Sequence, residues 1–412
     1  MTLAGYIILL ILALLDIAEI ILDKININYA KKISKNNQLP SFLNQEDLNK
    51  SLEYQSANIN LETFKSIIDT LFIIFIFVSG LIQQYANYVL SISSKEFIQA
   101  LIFLFGIQLV MGFIDLPFAL YKQFVIEERF GFNKMNLALF FKDLILSSII
   151  SFIIFSIILF AIISFINYFE KSWWIIGSIF VFFFIIIINY LYPTLIAPLF
   201  NKFEPITDSE LLEKINELST KSGFDLNKIF KMDASKRSTH GNAYFTGFGR
   251  KKRVVLFDTI LDKLNSDEIV SVLAHELGHF KHKHIVKNII ISFLIITTSF
   301  YITYTLINKD FIYEIFGFQK SLATGFFIIS ILLSPAKFII SPIFSAISRK
   351  FEYQADAYAL SLIKQTTSFK NALIKLYKDN LSNPFPHPLY VKIYYSHPPL
   401  LDRIKRIDDY GN

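Results

Sequence analysis

The chain carries the pentapeptide HELGH, reading His275, Glu276, Leu277, Gly278 and His279, and further on the run EYQAD, which holds Glu352 and Asp356. Residues four apart on a helix share a face, so His275 and His279 can aim two imidazole nitrogens at one metal ion. Glu276, one step round, reaches a water bound to that ion, which is the arrangement of metal-assisted hydrolysis. A zinc site kept open for chemistry takes three protein ligands and leaves a fourth place for water. Glu352 is the candidate third ligand, giving one Zn2+ per chain. Asp356, one turn after it, is placed to accept the second ring N–H of a ligand histidine. The plainer readings are an exposed helix with two spaced histidines, and a Glu352 that pairs with Arg349 or Lys350.

Attack on a peptide carbonyl would build negative charge on its oxygen, to be met by the metal and nearby donors, while Glu276 carries the proton to the leaving amine. In YSHPPLLDR, His397 precedes two prolines that pin the backbone, and Arg403 follows about one helical turn later. An imidazole and a guanidinium so held could bind the oxyanion or a peptide carboxylate. Asn242, Ala243 and Tyr244 begin a short apolar run. It reads either as an edge strand that pairs with extended substrate or as a strand whose Asn closes a local turn. His240, His282, His284 and His387 read as hydrogen-bonding or interface residues rather than ligands. The absence of cysteine excludes thiolate ligands, a cysteine nucleophile and disulfides.

The elements that position these residues lie in an unusual setting. With 53% hydrophobic residues and 44 phenylalanines, the chain is too apolar for an ordinary soluble enzyme, and it reads as a multi-pass membrane protein. Seven apolar runs are long enough to span as helices, near 2–22, 66–83, 98–121, 144–168, 173–192, 285–307 and 322–347. The first lacks the basic start and cleavage site of a secretory signal, so it is expected to remain as a span. Lysine and arginine crowd the first, third and fifth connections and the C-terminal tail. By the positive-inside rule the N-terminus is outside the cytosol, and HELGH and the C-terminus are within it. The net charge of +6 is then explained by topology signals and a face beside anionic lipid, with no nucleic-acid partner. Asp16, Glu19, Asp69, Asp115 and Lys337 fall within the apolar runs and suggest a polar space among the helices.

This divides the chain into a five-span region over 1–198, a first catalytic part over 199–284, two further spans over 285–347 and a second catalytic part over 348–412. The two polar parts are expected to fold as one discontinuous domain. DSELLEKINELSTKSG predicts a helix capped by Asp208 and stopped by Gly223. KIFKMD, AYFTGF and RVVLFD predict strands, with Gly249 in a hairpin turn. Ser266, Asp267 and Glu268 predict the start of the HELGH helix. Both ligand segments adjoin spans, which puts the zinc near the membrane surface.

HELGH, FEYQADAYA, SKRSTHGNAYFTGFG, YPTLIAPLFNKF, LPFALYKQFVIEERFGFNK and YSHPPLLDR together resemble the type 1 CAAX prenyl endopeptidases, integral-membrane zinc proteases of the gluzincin kind. The resemblance runs from about residue 113 to the end. It implies a mainly α fold: a barrel of seven transmembrane helices enclosing a chamber, with an α+β zinc protease domain on the cytosolic side. It also implies zinc ligation by His275, His279 and Glu352, acid/base work by Glu276, and substrate contact by Asn242, His397 and Arg403. Its substrates would be peptides or proteins, including ones prenylated at a C-terminal CAAX sequence and trimmed by three residues, with membrane lipid as the other partner. The wording of STHGNAYFTGFG resembles bacterial members, which points to a bacterial inner membrane rather than the endoplasmic reticulum. There the work would be quality control of membrane proteins without prenyl specificity. An intramembrane site-2-type protease fits less well, because HELGH is flanked by polar FKHKH and no LDG occurs. A non-catalytic zinc-binding membrane protein is the remaining alternative.

Overall fold

In the apolar core of a bilayer no water is available to the backbone, so each spanning segment must satisfy its own N–H and C=O groups, and a helix does this. The computed structural model describes residues 1–36, 39–246, 251–363 and 366–411. Five helices in it are long and apolar enough to span, and the number rises to seven if each of two bent helix pairs is one span. The bent pairs are Gln45–Val78 with Leu81–Ile92, turned by 64°, and Leu322–Leu333 with Ala336–Leu362, turned by 54°. Gly80 lies at the first bend with φ 76°, a left-handed conformation that suits glycine.

Within the apolar windows of the five unbroken spans, only 0 to 17% of residues are buried. A solid bundle would bury far more, and such values belong to a wall one helix thick, with lipid outside and a chamber inside. The wall can be followed through packed neighbours: Leu3–Asn36, Gln45–Val78, Glu96–Tyr121, Leu137–Tyr168, Trp173–Leu191 and His284–Leu306, then the bent pair ending in Ala336–Leu362. The short helix Pro388–Tyr394 packs on both Ala336–Leu362 and Leu3–Asn36 and so closes the ring.

Each end has its own core. At one end Leu9, Phe77, Phe103, Leu159, Trp173, Ile307, Phe316 and Ile328 come together, the places where successive spans start or stop. Thr2 donates its backbone N–H to Ile315 O there, at 2.9 Å, which fixes the N-terminus at this end. At the other end Leu211, Ile215, Leu226, Val254, Leu256, Leu273, Leu277, Ala359, Phe369 and Ile407 form the core of the catalytic part. This core draws on chain both before and after the sixth and seventh spans.

The catalytic part holds a four-stranded sheet in the order β1-β2-β4-β3. Its strands are β1 (Phe203–Pro205), β2 (Asp225–Met232), β3 (Ala243–Thr246) and β4 (Lys251–Phe257). β2 and β4 are parallel, whereas β3 runs antiparallel to β4 and lies at the edge. The sequence anticipates β2, β3 and β4 but not β1, whose three residues are too few to show a period. Gly249 lies outside the described residues. Asp208 accepts from Leu211 N–H and Gly223 closes the helix Ser209–Ser222 with φ 72°, both as expected.

The first connection departs from expectation. It is not a loop: Leu3–Asn36 and Gln45–Val78 each run for 34 residues and project beyond the apolar zone. Hydropathy registers only the lipid-facing part of such a helix. Lys65, on the second of them, lies 2.7 Å from Asp69 and 2.5 Å from Asp115, so two of the acids expected among the spans share one cation. Asp16 accepts from the Thr70 hydroxyl at 2.5 Å.

Candidate active site

The helix Ser266–Lys281 carries HELGH. Its start is a capping box one residue earlier than expected. Asn265 Oδ1 accepts from Glu268 N–H and Glu268 Oε2 accepts from Asn265 N–H, each at 2.9 Å, so Ser266 is already inside the helix. The buried Glu268 carboxylate also meets Lys375 Nζ at 2.8 Å. These contacts anchor the ligand helix to the helix Thr366–Asp379.

Glu352 and Asp356 stand on the long helix Ala336–Leu362, the second half of the last bent pair. The two helices cross closely at Gly278, where an added Cβ would lie 2.6 Å from Ala355 Cα and 2.9 Å from Ala355 O. Gly278 and Ala355 therefore let the histidines and Glu352 approach one another.

His275 Nε2 lies 3.2 Å from His279 Nε2 and 3.4 Å from Glu352 Oε2, and His279 Nε2 lies 3.3 Å from Glu352 Oε1. A tetrahedral zinc with bonds of about 2.05 Å has ligand–ligand edges of about 3.3 Å. Facing imidazole lone pairs at such a distance repel unless a proton or cation lies between them. Glu352 is 4% exposed, and its Oε2 faces His275 Nε2 at 3.4 Å and His397 Nδ1 at 2.8 Å. The donors, their spacing and the burial of the carboxylate fit a zinc ion, and the absence of thiolate suits an open nitrogen and oxygen site. Against the plainer reading of a surface ion pair with Arg349 or Lys350, Glu352 is buried, and Arg349 donates instead to Val391 O and Tyr395 O, both at 2.7 Å.

Asp356 takes the place expected of it. Its Oδ1 lies 2.8 Å from His275 Nδ1, leaving His275 Nε2 to face the other two donors. Arg403 grips the same carboxylate twice, Nη2 at 2.6 Å from Oδ1 and Nε at 2.9 Å from Oδ2. Its fork is thus committed to Asp356, not open to a substrate carboxylate. Burial opposes the Arg403 charge, but Asp356, Glu352 and Glu276 outweigh it and hold the guanidinium above its usual value. Burial likewise pulls His275 down, while its contacts with Asp356 and Glu352 overcome this and hold the imidazole at about 9. The site is an anionic seat that favours a cation.

Glu276 is half-buried and makes no side-chain hydrogen bond or ion pair among the described residues, which leaves its carboxylate available. His397 is exposed, with Nδ1 2.8 Å from Glu352 Oε2. Asn242 is exposed just ahead of the edge strand, its Oδ1 accepting from Ala243 N–H at 2.8 Å. Ala243 and Phe245 turn toward the core beneath the HELGH helix, with the Phe245 ring 5.8 Å from Phe280. Tyr244 turns to the opposite face and meets Phe257 edge-on. Thus His275, His279, Glu352, Asp356, Arg403 and His397 come together, and Asn242, Ala243 and Tyr244 form the neighbouring sheet edge.

Two residues outside the expected set join the site. A lone glutamine such as Gln354 has no spacing signal in the sequence, and the role of Gly278 depends on the crossing helix. His284 is buried against His279. His240 ties the start of β3 to other segments, with Nδ1 2.8 Å from Asn380 Oδ1 and Nε2 3.3 Å from Glu127 Oε2. A separate cavity of about 950 Å³, lined by Lys31, Phe64, Pro117, Phe118 and Arg129 among others, includes none of His275, His279 and Glu352.

Comparison with known proteins places this geometry. Residues 27–202 match the family described as CAAX prenyl protease N-terminal, five membrane helices, and residues 205–410 match peptidase family M48. CAAX prenyl protease 1 of Saccharomyces cerevisiae is 38% identical over 333 residues, covering 75% of this chain and 72% of the relative. The CAAX prenyl protease 1 homolog of Taenia solium is 32% identical over 447 residues, covering 97% of this chain and 94% of the relative. The crystal structure of S. mikatae Ste24p superposes with a TM-score of 0.91 at 32% identity, over 99% of this chain and all of that one.

Proposed function

The chain belongs to peptidase family M48 with the N-terminal region of the CAAX prenyl proteases, and from that membership we propose that His275, His279 and Glu352 hold one zinc ion for a Glu276-driven peptide hydrolysis. It is a multi-pass membrane metalloendopeptidase that resembles the enzymes of CAAX processing. The observation that carries the site assignment is the meeting of His275 Nε2, His279 Nε2 and the buried Glu352 carboxylate, with 3.2 Å between the nitrogens and 3.3 to 3.4 Å from each nitrogen to a carboxylate oxygen.

When bound, zinc would supply a Lewis acid that acidifies water to a pKa of about 7 and draws charge from a carbonyl oxygen. Glu276 takes a proton from the attacking water as its oxygen bonds to the peptide carbonyl carbon. The C–N bond then breaks and Glu276 delivers that proton to the leaving nitrogen. His397, exposed beside Glu352, is the chain's donor to the carbonyl oxygen. Asp356 holds His275, and Arg403 holds Asp356. The free edge of β3 aligns an extended peptide through backbone hydrogen bonds, with Asn242, Ala243 and Tyr244 at its start.

The substrate is a peptide or protein, and a C-terminal prenylated CAAX sequence is the class that the relatives' names support. The catalytic end faces the cytosol, as the basic connections argue, and membrane lipid bathes the wall. The bacterial setting expected from STHGNAYFTGFG draws no support from these relatives, which are eukaryotic. Mass spectrometry of a farnesylated CAAX peptide and its unprenylated twin tests the substrate. Removal of three residues from the farnesylated peptide in preference to its twin is expected. Equal cutting of both would give prenyl specificity up in favour of a broader membrane-protein protease.

A further inference from the structure

The two ligand histidines are supported in different ways. His275 has the Asp356 carboxylate behind it. Behind His279 stands His284, which is 1% exposed, with its Nδ1 3.1 Å from His279 Nδ1. The other nitrogen of His284, Nε2, lies 2.8 Å from Gln354 Oε1. Its ring lies flat on Phe351, centroids 4.1 Å apart and planes 9° apart. Lys283, in the left-handed region at φ 56°, turns the chain between the HELGH helix and the next span so that His284 comes back onto His279.

Proton placement along this row is fixed by elimination. If His279 is to offer Nε2 as a ligand, its single proton is on Nδ1, and that N–H donates to His284 Nδ1. His284 must then carry its own proton on Nε2, where it needs an acceptor, and Gln354 Oε1 is there. The opposite arrangement, with the glutamine amide donating, would push the proton along to His279 Nε2 and block ligation. We propose, on the reading that His279 is a zinc ligand, that His284 and Gln354 are positioning residues that hold His279 in its metal-binding tautomer and orientation. Both histidines are thereby supported from the helix that bears Glu352, one directly by Asp356 and one through a relay to Gln354.

The test is zinc affinity, measured by chelator competition on the detergent-solubilised full chain, together with nitrogen NMR of protein labelled at its seven histidines. His284→Ala should weaken zinc binding about 10- to 100-fold, the usual effect of losing such a partner. Gln354→Leu should weaken it in the same direction, and His284→Gln, which keeps an acceptor and a donor, should recover part of the loss. In the zinc-free protein the His279 signal should show Nδ1–H in the wild type and lose that preference in His284→Ala. Wild-type affinity and tautomer in both His284→Ala and Gln354→Leu, with binding abolished in His275→Ala, would overturn the relay while leaving the zinc site intact. Unchanged binding in His275→Ala would overturn the zinc assignment and the relay with it. Should His284→Ala fail to fold, Gln354→Leu and His284→Gln decide the matter.

Discussion

Gly278 shows how much the site depends on single atoms. The chemistry of HELGH is usually read from its histidines and glutamate, yet its glycine sets how near the other ligand helix can come. In Gly278→Ala the new methyl would meet Ala355 Cα at 2.6 Å, against backbone that cannot swing aside. Overpacking of this kind costs about 1–3 kcal/mol. The expected outcome is a lower melting temperature together with weaker zinc binding, measured by thermal unfolding and chelator competition. Unchanged zinc affinity would mean that the helices do not need this contact to bring the donors together. At this scale placement is legible in the sequence wherever it follows spacing along one helix, as for His275 and His279 on one and Glu352 and Asp356 on the other. It is less so for Arg403, since nothing local says that its guanidinium is turned to Asp356 instead of to substrate.

Elements were legible where one periodicity rules a whole segment, as in the helix capped by Asp208, and less so where two environments meet in one helix. Gln45–Val78 is polar at one end and apolar at the other, so only its second half reads as a span. The edge strand β3 carries a pH-sensitive tether. Its neighbour His240 is raised above the ordinary value of 6.5, first by the Glu127 carboxylate against the opposing effect of burial, and further by Asn380. A group with a raised folded pKa contributes its full stability below the unfolded value and loses it as pH rises through the folded one. Thermal stability should therefore decline in the window that begins near pH 6.5 and extends through the folded pKa, and His240→Gln should flatten that decline. An equally steep decline in the variant would assign the pH dependence to other groups.

For the whole molecule, the alternation of spans puts the N-terminal core at one end and the protease core at the other. Apolar composition and basic connections anticipated a multi-pass chain, but the bends at Gly80 and after Leu333 and the closing role of Pro388–Tyr394 needed tertiary contacts to be seen. Because the chain has no cysteine, single cysteines can report sidedness. Lys171 and Lys405 are both exposed, the first next to Trp173 of the N-terminal core and the second in the C-terminal helix. In sealed vesicles of known orientation, an impermeant maleimide should label Lys405→Cys only from the cytosolic face and Lys171→Cys only from the other. Labelling of both from one face would contradict the topology.

The proposed hydrolysis needs one zinc held between two helices and one carboxylate that moves the proton. The most direct measurement is zinc per chain and peptide cleavage on the same preparations of wild type, Glu276→Gln and Glu352→Ala. Wild type should hold one zinc and cut. Glu276→Gln should hold its zinc and lose cutting by about 100-fold or more, whereas Glu352→Ala should lose both. Cutting at the wild-type rate by Glu276→Gln, or full zinc and activity in Glu352→Ala, would contradict the assignment.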